Sequence, residues 1–160
     1  MGSIKNIIFD LGNVLLDIDY SLTTGRLSEI TGLDVNRELM EHGEIFLKFE
    51  TGKIPYVVFF NYLTRISTKK AIINDMLPAW NAMLIGMQPE IPALLDSLSK
   101  NYNLFILSNT NETHIQWLDK YLIHESIYNQ WYHGWFNQIF YSHMIGLRKP
   151  DRQCFDHVLM

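Results

Sequence analysis

Residues 7–17 read Ile-Ile-Phe-Asp-Leu-Gly-Asn-Val-Leu-Leu-Asp, and the rest of the chain is interpreted around them. The apolar run 7–9 is typical of a buried strand, and it ends abruptly at Asp10. Gly12 allows a tight turn and a close approach of the backbone to a ligand. Ligands of open α/β sheets bind outside the carboxyl ends of the strands, where Asp10 would be a nucleophile or a metal ligand. An Asp that caps a turn explains this stretch equally well.

Composition narrows the class of protein. The chain has 160 residues, a formal net charge of −4 and 48% hydrophobic residues, which suits one domain, or one domain with an insertion. The mild acidity argues against nucleic acid as a partner, because phosphate backbones usually bind basic faces. No apolar run is long enough to cross a bilayer, no signal-peptide pattern is present, and the single Cys154 excludes an internal disulfide. We therefore expect a cytoplasmic protein without a membrane partner.

The order of apolar patterns predicts an α/β fold. Residues 20–84 show helical spacing without strand-type alternation, which predicts an insert of about four short helices. Residues 89–159 then alternate between helical segments and two short apolar strands, 104–107 and 138–141. Strands that alternate with helices form a parallel sheet with right-handed crossovers.

Parallel strands place their carboxyl ends along one sheet edge, so we expect Asp10, Ser108 and the nearby loop residue Lys149 to meet there. A carboxylate, a hydroxyl and an ammonium group together suit phosphoryl transfer. The carboxylate attacks phosphorus and carries it covalently, the hydroxyl and neighbouring amides hold phosphate oxygens, and the lysine neutralises charge. Two anions that meet in one site need a divalent cation, and Mg²⁺ prefers carboxylate, carbonyl and water oxygens.

These residues also carry a resemblance to the haloacid dehalogenase superfamily, most of whose members are phosphatases. Asp10 matches the family's first motif, an Asp at the end of strand one. Ser108, within Ile-Leu-Ser-Asn-Thr, matches the second motif, and Lys149, within Gly-Leu-Arg-Lys-Pro-Asp, matches the third. The chain looks most similar to the subgroup of bacterial sugar-phosphate phosphatases that includes an α-glucose-1-phosphate phosphatase.

The resemblance implies a Rossmann-like parallel sheet core, incomplete here, formed by residues 1–16 and 86–160. It also implies an inserted α-helical cap formed by residues 17–85. The activity implied is Mg²⁺-dependent hydrolysis of a small phosphorylated metabolite, with a sugar phosphate as the expected substrate and an aspartyl-phosphate as the intermediate.

The resemblance also assigns roles to individual residues. Asp10 is implied as the nucleophile and a magnesium ligand, with the backbone carbonyl of Gly12 as a second ligand. Ser108 and the amide of Asn109 are implied as the phosphate-binding groups. Lys149 is implied to bridge the phosphate and Asp10.

The chain departs from the family pattern at two places. Gly12 occupies the position where most family phosphatases carry an Asp as general acid, and His42 and Glu44 are our cap candidates for this or for substrate contact. Glu50, at the end of a cap helix, we interpret as structural. The family's acidic fourth motif, which completes the magnesium site, is absent before Met160. We therefore expect a C-terminally truncated chain whose first strand is an exposed edge able to self-associate.

Two other hypotheses remain open at this point. In a 2-haloacid dehalogenase the same Asp attacks carbon, and that reaction needs no magnesium. Alternatively, the chain is a catalytically incomplete fragment that binds a ligand or self-associates without turnover.

Overall fold

The structure, a computed structural model, describes residues 4–159. Its centre is a parallel sheet of three strands in the order β1-β4-β5, which confirms the predicted α/β class. The strands are β1 (Asn6–Phe9), β4 (Asn103–Ser108) and β5 (Phe136–Tyr141). In register, Ile8 lies beside Phe105, and Phe105 lies beside Gln138.

A second, antiparallel sheet joins the helical insert to this core. Its two strands are β2 (Asp17–Ile18) and β3 (Leu84–Gly86), which flank the insert in the sequence. These two strands are not apparent in the sequence, because strands of two and three residues are too short to show alternation.

The insert contains five helices where the sequence pattern predicts about four. They are α1 (Tyr20–Thr31), α2 (Val35–Glu41), α3 (Gly43–Glu50), α4 (Tyr56–Ile66) and α5 (Ile73–Asn81). Asp19 and Asp34 cap α1 and α2, where each carboxylate accepts a backbone N–H of the first turn.

Helices also cover the parallel sheet. They are α6 (Ile91–Leu98), α7 (Glu112–His124), a π-helical segment (Gln130–Trp135), α8 (Ser142–Ile145) and α9 (Arg152–Leu159). Asn111 caps α7, and its side-chain oxygen accepts the backbone N–H groups of Thr113 and His114. None of the helices described is both long and apolar enough to cross a membrane.

Each region buries its own apolar cluster. Around the sheet the fully buried side chains include Leu95, Leu104, Ile106, Leu118 and Trp131. In the insert they include Phe49, Phe59, Phe60 and Met76, with the rings of Phe49 and Phe59 stacked at 4.6 Å. Burial of each such side chain stabilises the fold by roughly 1.5–3 kcal/mol.

Strand β1 lies at an edge of the parallel sheet. Within residues 4–159 it pairs with β4 on one side, and Ile8 at its centre is 43% exposed. Self-association through this edge stays a prediction.

Candidate active site

A cavity of about 500 Å³ lies between the carboxyl edge of the parallel sheet and the helical insert. Ligand pockets are typically 300–1,000 Å³, so this cavity suits a small metabolite. Its core side is lined by Asp10, Gly12, Ser108, Asn109, His114, Arg148 and Lys149. Its insert side is lined by Tyr20, Thr23, Thr24, Leu39, Phe46, Glu50 and Trp80.

Asp10 follows β1 directly, and Lys149 reaches it from the loop after α8. The Lys149 Nζ lies 2.6 Å from Asp10 Oδ2, while the other carboxylate oxygen accepts the backbone N–H of Leu11 at 2.8 Å. The structure therefore brings together the carboxylate and the ammonium group that the sequence analysis placed at one edge.

Ser108 ends β4, and because β4 pairs with β1 in parallel its side chain lies in the same cavity. The residue is only 3% exposed. Its hydroxyl donates a long hydrogen bond of 3.5 Å to the carbonyl oxygen of Asn109. So weak a bond leaves the hydroxyl able to turn toward a better acceptor in the cavity.

Asn109 has a side-chain role that the sequence analysis missed. Its Oδ1 accepts the backbone N–H of Lys149 at 2.8 Å, and its Nδ2 donates to the Lys149 carbonyl oxygen at 2.9 Å. The side chain thereby fixes the backbone of Lys149 beside the end of β4. Only the main-chain amide of Asn109 was expected at the site, since no local sequence pattern links positions 40 residues apart.

Gly12 lies in the turn after β1, where the backbone N–H of Asn13 donates to the Leu16 carbonyl oxygen at 2.8 Å. A Cβ at position 12 would lie 2.8 Å from Cδ1 of Ile18, which is closer than real Cβ contacts. The end of the Ile18 side chain would therefore have to shift to admit a side chain at position 12.

The oxygen donors at this turn fit Mg²⁺. The Asp10 carboxylate and the Gly12 carbonyl are hard ligands, and Mg²⁺ is commonly held by one or two carboxylates with waters and phosphate oxygens. Among residues 4–159, no group of three or more His, Cys, Asp or Glu side chains is placed to hold a metal ion.

The structure does not bring the two predicted cap candidates to the cavity. Neither His42 nor Glu44 is among its lining residues. His42 lies at the junction of α2 and α3, 3.9 Å from Glu38, and the Glu44 carboxylate pairs with Lys48 at 2.7 Å. The hydrogen bond from Lys48 lowers the pKa of Glu44, which makes it a poorer proton donor. Both side chains belong to pairs one helical turn apart on exposed helix surface.

Other residues of the insert line the cavity instead. Glu50, which the sequence analysis interpreted as structural, pairs with Arg148 at 2.6 Å. Tyr20 lies at the entrance of the insert, and burial together with the negative charges of Glu50 and Asp10 raises the pKa of its phenol. The phenol is therefore a neutral hydrogen-bond donor at neutral pH.

His114 of α7 and Trp80 of α5 join the core to the insert across the cavity. Their rings stack at 5.6 Å, and Nδ1 of His114 lies 3.2 Å from Nδ2 of Asn111. Burial lowers the pKa of His114 to about 4, so the imidazole is neutral near pH 7. The distance in sequence between His114 and the other histidines follows no pattern that would mark His114 as a site residue.

Comparison with known proteins extends the likeness over nearly the whole chain. No protein-family model matches it. A D-ribitol-5-phosphate phosphatase of Bacteroides thetaiotaomicron is 24% identical over 158 residues, which cover 98% of this chain and 76% of the relative.

Solved structures show the same architecture. A HAD family enzyme of Bacteroides thetaiotaomicron superposes with a TM-score of 0.85 at 25% identity, covering 98% of this chain and 77% of that one. The same enzyme was also solved with magnesium and inorganic phosphate, with a TM-score of 0.83 at 25% identity over the same shares of both chains. A predicted HAD-like hydrolase of Porphyromonas gingivalis superposes with a TM-score of 0.75 at 26% identity, covering 98% and 75% of the two chains. With Asp10, Ser108 and Lys149 gathered at one sheet edge, these likenesses support the haloacid dehalogenase-like hydrolase superfamily for this chain.

Proposed function

We propose that the protein is a Mg²⁺-dependent phosphatase that hydrolyses small phosphomonoesters of sugars or sugar alcohols through an aspartyl-phosphate. The observation that carries the proposal is the pair of Asp10 and Lys149, 2.6 Å apart at the sheet edge that also holds Ser108. A carboxylate nucleophile beside a cation and a hydroxyl is the set of groups that phosphoryl transfer needs. The relatives support this reaction, since one is named a phosphatase and another was solved with magnesium and phosphate.

In the first step a carboxylate oxygen of Asp10 attacks phosphorus, and the bond from phosphorus to the leaving oxygen breaks. The leaving oxygen takes up a proton from a water molecule and departs as an alcohol. In the second step water attacks the phosphorus of the aspartyl-phosphate, which releases inorganic phosphate and restores the carboxylate. Lys149 offsets the negative charge of the phosphoryl group, and Ser108 donates a hydrogen bond to one of its oxygens.

Magnesium would be held by the Asp10 carboxylate and the Gly12 carbonyl oxygen, and it would supply positive charge that offsets the phosphate. Asn109 keeps the Lys149 backbone in place for this chemistry, because its side chain bonds both main-chain groups of that residue. The insert lines the side of the cavity that faces the sheet edge.

The lining of the cavity supports a neutral, hydroxylated leaving group. Its two cations, Arg148 and Lys149, are already paired with carboxylates. The insert side offers the neutral polar groups of Tyr20 and Thr24 beside the apolar face of Trp80. This mixture suits a sugar or polyol better than a second anionic group. The compound in the name of the relative, D-ribitol 5-phosphate, is a polyol phosphate and belongs to this substrate class.

The test is phosphate release from a panel of sugar and polyol phosphates, with Mg²⁺ and with EDTA. Asp10→Asn removes the nucleophile, and we expect turnover to fall by at least about three orders of magnitude. Asp156→Asn is the control for loss of one carboxylate, since this residue lies on α9 in an exposed pair with Arg152. Full turnover by Asp10→Asn would refute the covalent mechanism.

Two other outcomes would redirect the assignment. Halide release from a 2-haloacid in the presence of EDTA would favour the dehalogenase reaction. Phosphate binding without turnover at saturating Mg²⁺ would favour a chain that binds its ligand but lacks part of the catalytic apparatus.

A further inference from the structure

Two neighbouring cations on one loop pair with carboxylates from two different regions. Arg148 donates from Nε to Glu50 of the insert at 2.6 Å, and Lys149 contacts Asp10 of the core at 2.6 Å. In the part of the chain that the structure describes, the remaining ion pairs join sequence neighbours or residues one helical turn apart. The loop is therefore the one place where ion pairs connect distant segments of residues 4–159.

Glu50 is held firmly enough to act as an anchor. It ends α3, and its side chain is only 10% exposed. Its carbonyl oxygen lies 2.7 Å from Oγ of Ser142, the residue that follows β5. The same hydroxyl accepts the backbone N–H of Thr110 at 2.9 Å, and the Thr110 carbonyl oxygen, 2.8 Å away, is a second acceptor for its one proton. This end of α3 therefore lies against the edge of the parallel sheet.

The backbone of Lys149 is fixed from the core side by Asn109, which bonds both its N–H and its carbonyl oxygen. The carboxylate of Glu50 holds Arg148, the residue that precedes Lys149. A lysine ammonium sits on a flexible stem of four carbons, so restraint of the loop narrows the positions that the ammonium can take. The two restraints together favour the contact of Lys149 with Asp10.

We propose that Glu50 is a positioning residue that acts through Arg148 to place Lys149 at the phosphate site. The proposal rests on the phosphatase function proposed above, because it takes Lys149 as the phosphate-binding cation. Since Glu50 belongs to the insert and Lys149 to the core, phosphate binding is strengthened when the insert is seated on the sheet edge.

The test measures the affinity for inorganic phosphate by calorimetry, with Mg²⁺ present, in a double-mutant cycle of Glu50→Gln and Lys149→Met. We expect Glu50→Gln to weaken phosphate binding about tenfold in the wild-type background. In the Lys149→Met background the same change has no further effect, because the group it positions is gone. Glu41→Gln is the matched control, since Glu41 pairs with Arg37 on an exposed helix surface and leaves the affinity unchanged.

Thermal melting of each variant is measured first, because Glu50→Gln leaves the Arg148 guanidinium without its carboxylate. If that variant does not fold, Arg148→Gln replaces it in the same cycle with the same expectation. Wild-type affinity in Glu50→Gln would overturn the proposal, and so would a tenfold loss that persists in the Lys149→Met background. Failure of the wild-type protein to bind phosphate would instead overturn the proposed function itself.

Discussion

The parallel-sheet core and the helical insert contribute to the same cavity in different ways. The core supplies Asp10 and Ser108 from the ends of parallel strands, and it supplies Lys149 from the loop after α8, where Asn109 holds its backbone. The insert supplies Glu50 and the neutral lining, and their positions depend on how the insert docks against the core. The proposed chemistry thus depends mainly on the core, whereas the proposed effect of Glu50 on phosphate affinity depends on docking of the insert.

The largest expected effect tests the core. Lys149→Met keeps the length of the side chain and removes the cation that contacts Asp10. We expect kcat/KM for a sugar phosphate to fall about 10²–10³-fold, because a charged group that stabilises the transition state is lost. Initial rates over a range of substrate concentrations measure it. Lys48→Met, which removes a lysine from an exposed pair with Glu44, serves as control, and an equal loss there would refute the assignment.

The next effect tests docking of the insert. Gly52 has a φ of +67°, and a Cβ there would lie far inside contact distance of the His143 carbonyl oxygen on α8. Gly52→Ala combines a left-handed backbone with a clash against main chain, so we expect a loss of about 2–4 kcal/mol in the free energy of unfolding. Urea denaturation measures the loss. A variant as stable as the wild type would show that the insert does not depend on this contact.

The contact between core and insert contains a titratable group, because His114 of the core stacks on Trp80 of the insert. We therefore expect the stability of this contact to depend on pH. Burial holds its folded pKa at about 4, below the ordinary value of 6.5, so the unfolded chain binds the proton first as the pH falls. The stability due to the neutral imidazole is therefore present above pH 6.5 and is lost as the pH falls toward 4. Between pH 7 and pH 5 we expect this residue to account for a loss of about 2 kcal/mol.

The measurement is the free energy of unfolding at both pH values in wild type and His114→Gln. The variant loses this part of the pH dependence, whereas His133→Gln, at an exposed position, keeps it. An unchanged pH dependence in His114→Gln would contradict the expectation. His143 is a second histidine whose pKa burial lowers, so some dependence of the same sign remains.

The sequence predicted the features that depend on strand order. Alternation of strands and helices places Asp10 and Ser108 at one edge before any coordinates are known, since only parallel pairing is needed, and Lys149 was expected near them on a loop. The pair of Glu50 and Arg148 joins positions 98 residues apart and leaves no local pattern. His42 and Glu44 lie outside the cavity, and the sequence alone does not tell which face of a cap helix meets the core.

The smallest effect is expected for Gly25→Ala, which serves as a comparison for Gly52→Ala. Gly25 lies within α1, its backbone angles are helical, and a Cβ there meets nothing within 4 Å. Gly25→Ala should raise the free energy of unfolding by about 0.5–1 kcal/mol, because alanine loses less conformational freedom in a helix than glycine does. It differs from Gly52→Ala in sign although both changes add one methyl group to the same insert. If urea denaturation shows that both variants lose stability, added bulk anywhere in the insert is harmful, and the contact of Gly52 with α8 has no special part in docking.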